Sequence, residues 1–134
     1  MKDCIFCKII KEQESAKIVY KDKYTIAFLP LELNTKAHLI IAPIKHYQNI
    51  FDIEANILCH IMQTAQVLAK HIQNKLNAKG INLLHASGKT AQQSVNHFHI
   101  HLMPRFKDDS LNMWPNVDIW QGDIEELYKI IKLT

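Results

Sequence analysis

The chain has 134 residues, 48% hydrophobic and 22% charged, a size and balance suited to one globular domain, 1–134, with its own core. Its 16 Lys and Arg against 13 Asp and Glu give a net charge of +3 with the signs interspersed, which argues against nucleic acid as a partner. The longest uncharged apolar run, Leu39 to Ile44, is too short to span a membrane, and no apolar stretch of a secretory signal follows Lys2 and Asp3. The expected location is therefore the cytoplasm, with no membrane partner.

In chain order, a short helix is expected from Ile5 to Glu12, followed by strands over Lys17–Lys21 and Tyr24–Leu31 joined by a turn at Lys21-Asp22-Lys23. His38 to Pro43 is nearly all apolar, as a central strand covered on both faces would be. Asp52 is a candidate N-cap for a long helix carrying Leu58, Ile61, Met62, Ala65, Leu68, Ala69, Ile72 and Leu76 at helical spacing, with Gly80 as its stop. Within it Cys59 reads as a buried small hydrophobe, and His60 and His71 as surface residues. Strands Ile81–Ala86 and Phe98–Met103 and a terminal helix from Ile124 to Leu133 complete the chain. Five short strands around one long helix, without regular βαβ alternation, predict an α+β fold with a mainly antiparallel sheet. Only Gly80, Gly88 and Gly122 occur, so glycine-cradled phosphate loops are largely excluded.

The chemistry concentrates in His97-Phe98-His99-Ile100-His101. In an extended segment side chains alternate, so the three imidazoles share one face about 6–7 Å apart, while Phe98, Ile100 and Leu102 point to the core. Three readings compete: ordinary histidines of a half-buried strand, metal ligands, or a nucleophile or general acid–base with its supports. Gln93 and Ser94 place neutral donors before the strand, and no carboxylate lies within it. That favours the third reading, because neutral donors suit developing negative charge better than a cation. Cys4 and Cys7 form a Cys-x-x-Cys pair that is inert, redox-active or half of a metal site; three cysteines in all argue against a disulfide framework.

Cys4-Ile5-Phe6-Cys7, Ile44-Lys45-His46 and Gln93-Ser94-Val95-x-His97-x-His99-x-His101 resemble the histidine-triad (HIT) family, in particular its small Hint-like bacterial branch. The resemblance runs over essentially the whole chain. It implies cleavage of purine nucleoside phosphoramidates or related nucleotide conjugates at the α-phosphorus through a nucleotidyl-histidine intermediate. Carried over, His99 is the nucleophile, His101 a donor to phosphoryl oxygen, Ser94 a group near the leaving atom, and His97 the third member. Gln93 is placed beside the substrate. Ile5, Phe6, Leu29 and Leu31 surround the base. The resemblance also implies a structural zinc held by Cys4, Cys7, His46 and His97, and a homodimer to which Trp114 and Pro115 contribute. His38 matches another histidine of the family; His85 has no match and no expected role.

Three positions depart from the pattern. Pro30 stands where an Asp usually bonds the ribose, and Glu32 is expected to replace it if the strand continues. Ala86 replaces an Asn and Gln92 a Gly near the phosphate. All three concern nucleotide recognition, and they motivate an alternative function as a nucleotide-binding regulatory or adaptor module with vestigial catalysis.

Overall fold

The computed structural model describes residues 3–134. Its strands are β1 (Lys17–Lys21), β2 (Thr25–Leu29), β3 (Leu39–Pro43), β4 (Gly80–Leu84) and β5 (Ile100–Arg105), and its helices α1 (Ile5–Ile10), α2 (Ala55–Leu76) and α3 (Ile124–Ile131). The five strands form one sheet in the order β1-β2-β3-β5-β4, and every pairing is antiparallel. This is the α+β architecture expected from the sequence.

Alternation along the central strands feeds two cores. Ala27, Leu39, Ile41, Phe98, Ile100 and Leu102 meet the α2 stripe Ile61, Ala65, Leu68 and Ile72. On the other face Ile26, Phe28, Ile40 and Ala42 meet Phe6 and Ile9 of α1. β3 is buried along its whole length, as its apolar run requires. Among the described residues no helix is long and apolar enough to cross a membrane.

Several boundaries differ from expectation, each for a local reason. β2 stops at Leu29, and Pro30 begins a bend. The carboxylate of Asp52 turns back to accept the Gln48 and Asn49 N–H groups, at 2.9 and 2.8 Å, so Glu54 rather than Asp52 occupies the N-cap. Asn77, left-handed at φ 57°, ends α2, and Gly80 instead opens β4. Cys59 and Met62 are exposed, because the buried stripe passes through Ile61, Ala65 and Leu68 and leaves them off it. His60 is half-buried and donates to Asp22 at 2.8 Å, tying α2 to the β1–β2 turn, whereas His71 is exposed.

At the end of β5 the guanidinium of Arg105 binds both carboxylate oxygens of Asp109, the Asn82 side chain and the Leu111 carbonyl. Beyond this clasp no residue from 111 to 134 is buried; Trp120, 59% accessible, lies outside the core. Among the described residues one side-chain polar atom is fully buried without a partner, Oγ1 of Thr25 in β2.

Candidate active site and metal centre

Only His101 of the three triad histidines lies within a regular strand; β5 begins at Ile100 rather than Phe98. The alternation nevertheless persists upstream. Phe98 enters the α2 core, while His97 and His99 both meet the edge of Phe6, with ring centroids 5.7 and 5.1 Å away. His99 and His101 are neighbours at 5.0 Å between centroids. Outside the ladder the segment is held by Phe98 N–H donating to the Tyr47 carbonyl at 2.7 Å.

Hydrogen-bond partners set the tautomers. A carbonyl can only accept, so the 2.7 Å contact between His99 Nδ1 and the His97 carbonyl places the His99 proton on Nδ1. Its Nε2 keeps a free lone pair. That atom has no partner among the described residues and is not a buried orphan, so it retains contact with solvent. For His101 the logic runs the other way. Asn34 N–H donates to His38 Nδ1 at 3.4 Å, leaving the proton of neutral His38 on Nε2, which donates to His101 Nδ1 at 2.9 Å. Neutral His101 therefore carries its proton on Nε2. Burial pushes His38 and His99 below the ordinary imidazole value, and pushes His101 to about 4 with added repulsion from His99, His38 and His85. At neutral pH the pair presents one lone pair and one N–H donor side by side.

Two cysteines and two histidines assemble at the other end of the segment. Cys4 Sγ lies 3.4 Å from His97 Nδ1, and Cys7 Sγ lies 3.3 Å from His46 Nδ1 and 3.6 Å from His97 Nδ1. All four donor atoms fall within 4.8 Å of one another. A zinc tetrahedron with ordinary bond lengths has sulfur–nitrogen edges of about 3.6 Å, so the quartet has the right size. The tautomer also fits: His97 Nε2–H donates to the Pro43 carbonyl at 2.9 Å, which leaves Nδ1 free to ligate. Burial and the adjacent Cys4 push the Cys7 thiol up to about 11, a cost that a cation between the sulfurs would relieve. His99 and His101 stand outside this cluster, so the three triad histidines do not form one ligand set.

The HIT domain family matches residues 11–108 of this sequence. The chain belongs to that family. The adenosine 5'-monophosphoramidase HNT1 of Saccharomyces cerevisiae is 34% identical over 129 residues, covering 96% of this chain and 78% of the yeast protein. Among solved structures, a HIT family protein from Bacillus anthracis is 36% identical with a TM-score of 0.81, covering 96% of this chain and 92% of that one. A zinc-bound histidine triad protein from Mycobacterium smegmatis is 27% identical with a TM-score of 0.80, covering 87% and 85%.

Other residues expected at the HIT site fall in several places. An open cleft of about 520 Å³ is lined by Cys4, Ile5, His46, Gln48 and Ser94 among others; His99 and His101 are not on its wall. Gln93 spends its amide on the chain itself, donating to the Gln48 and Val95 carbonyls and accepting the Gly88 N–H, so it braces the loop. Leu29 packs against the α2 core, whereas Leu31 is fully exposed. Glu32 is exposed in the bend, and the strand that would have carried it onto the Pro30 face ends at Leu29. Two histidines have roles that the sequence did not predict, although His38 matches a histidine of the family. His38 supplies the proton that orients His101, and His85 binds the His99 carbonyl at 2.7 Å. Neither shows a spacing signal, because each reaches the triad from a different strand end.

Proposed function

We propose that this HIT protein is a nucleotide hydrolase that cleaves purine nucleoside phosphoramidates or related conjugates at the α-phosphorus through His99. The observation that carries the reading is the opposed pair of tautomers, a lone pair on His99 Nε2 beside a proton on His101 Nε2. The lone pair attacks phosphorus, a nitrogen–phosphorus bond forms, and the bond to the leaving amine or phosphate breaks, the amine departing with a proton taken from solvent. The His101 N–H bonds a phosphoryl oxygen as charge builds there. Water then cleaves the nucleotidyl-histidine, releasing the nucleoside monophosphate and restoring His99. Ser94 serves the leaving group. Ile5 and Phe6 are proposed to flank the base, with Leu31 and Glu32 at its edge, whereas Leu29 on the α2 face and the loop-bracing Gln93 stand outside it. The named activity of the yeast relative supports this substrate class.

Cys4, Cys7, His46 and His97 are proposed to hold zinc, as the size of the quartet and the zinc-bound relative support. Four protein ligands fill the tetrahedron, so the ion would supply structure and no open position for reaction. The exposed apolar residues between Trp114 and Leu133 support a homodimer in which this arm meets a second copy.

The deciding experiment incubates the protein with adenosine 5'-phosphoramidate, with and without EDTA, beside His99→Asn. Turnover that survives chelator and falls at least about a thousandfold in the variant is expected. Binding without turnover in the wild type would overturn the reading in favour of a binding module, and turnover dependent on added metal would favour a metallohydrolase.

A further inference from the structure

The sheet takes hold of this segment only at Ile100, one residue after His99. β5 pairs with β4 as far as Leu84 opposite His101, and with β3 as far as Ile41 opposite Ile100. His101 is thus fixed by strands on both sides, and His97 by the Pro43 carbonyl and the cysteine–histidine quartet. His99 sits between these anchors. At its carbonyl, where the ladder has ended, the donor is a side chain: Nδ1–H of His85, just beyond β4, at 2.7 Å.

His85 is itself closely held. Its proton lies on Nδ1, so Nε2 accepts the Ser87 hydroxyl at 2.5 Å, and Ser87 Oγ in turn accepts the Ile50 N–H at 2.9 Å. The ring lies over Phe98, with centroids 4.5 Å apart and planes at 29°. An edge, a face and a tautomer are all fixed. Rigid support of this kind is what a ring aimed at an electrophile needs, since a misplacement of about 1 Å can cost on the order of a hundredfold in rate.

We propose that His85 is a positioning residue for His99, replacing the missing ladder donor at its carbonyl and so setting the backbone from which the nucleophilic ring is aimed. Ser87 acts one step further out by holding the His85 ring. The role at turnover rests on the reading of His99 as nucleophile; the role in orienting the ring does not.

The test compares full-length wild type, His85→Ala, His85→Asn and Ser87→Ala with adenosine 5'-phosphoramidate. In His85→Ala, kcat is expected to fall about 10- to 100-fold while KM stays within about threefold. His85→Asn keeps a donor nitrogen at the position of Nδ1 and should recover to within about fivefold of wild type. Ser87→Ala should lose less than His85→Ala. An alanine variant within about twofold of wild type, or an asparagine variant no better than alanine, would overturn the proposal. Imidazole nitrogen NMR of substrate-free protein separates the two layers. The His99 signals should show one Nδ1-protonated form in the wild type and broaden in His85→Ala, and unchanged signals overturn the positioning whatever the assay shows. A wild type without turnover whose His99 signals still respond to His85→Ala would remove the hydrolase reading and keep this one.

Discussion

Two short helices near the ends of the chain make opposite use of their sequences. α1 has six residues and no acidic residue in its first turn, yet it drives Phe6 and Ile9 into the sheet. α3 has the stronger local signals. Asp123 accepts the Glu125 and Glu126 N–H groups, two acidic residues occupy the first turn, and Ile124, Leu127, Tyr128 and Ile131 form one stripe. None of its residues is buried. Capping and periodicity decide whether a helix forms, but a complementary surface decides whether it docks. Phe6 finds such a surface in Phe28, His97 and His99, with centroids 5.3, 5.7 and 5.1 Å away. Among the described residues the α3 stripe meets nothing comparable.

The contrast can be broken most severely at the quartet. Cys4→Ser with Cys7→Ser should release α1 and lower the thermal midpoint by roughly 10 °C or more, with bound zinc counted by atomic absorption. Less than half an equivalent of zinc in purified protein would show that packing alone holds the helix. Phe6→Ala comes next, with an expected loss of about 3–5 kcal/mol in denaturant unfolding, because a buried ring leaves a cavity between two histidines and a phenylalanine.

Acid gives a smaller effect, confined to the body. Burial pushes the Asp22 carboxyl up, but bonds from His60, the Tyr24 and Thr25 N–H groups and Tyr20 outweigh it and bring it down from 3.8 to about 2. A depressed carboxyl contributes its stability above its unfolded value and loses it as pH falls. The contribution should therefore be complete above about pH 4 and fade toward pH 2. Unfolding curves for wild type and Asp22→Asn should converge at the acid end; a constant gap would exclude this origin. The smallest effect belongs to α3. Leu127→Ala should change the unfolding free energy of the dilute monomer by less than about 0.5 kcal/mol, while sedimentation at high concentration reports any loss of self-association.

Much of this was legible in the residues because it follows from period and type. Apolar runs located β3 and α2, and strict alternation put Phe98 and its flanking histidines on opposite faces even where the ladder had lapsed. Boundaries were less legible because long-range partners set them. Phe98 N–H goes to Tyr47 and the His99 carbonyl to His85, so β5 cannot start where its pattern starts. Asp52 looks like a cap until its carboxylate is found turned back on Gln48 and Asn49. Cys59 looked apolar by its neighbours but sits off the stripe that the sheet selects. At the site, residue types suggested the donor quartet through the family pattern, but the tautomers depended on His38 and Asn34, far from the triad in sequence.

Thr25 opens β2 beside the β1–β2 turn, its hydroxyl fully buried and without a bonding partner among the described residues. Such an unmet group costs about 1–3 kcal/mol, and a valine of nearly the same outline would remove the deficit without disturbing the strand. The fold thus holds stability in reserve, at a position that can be improved without touching any histidine of the triad.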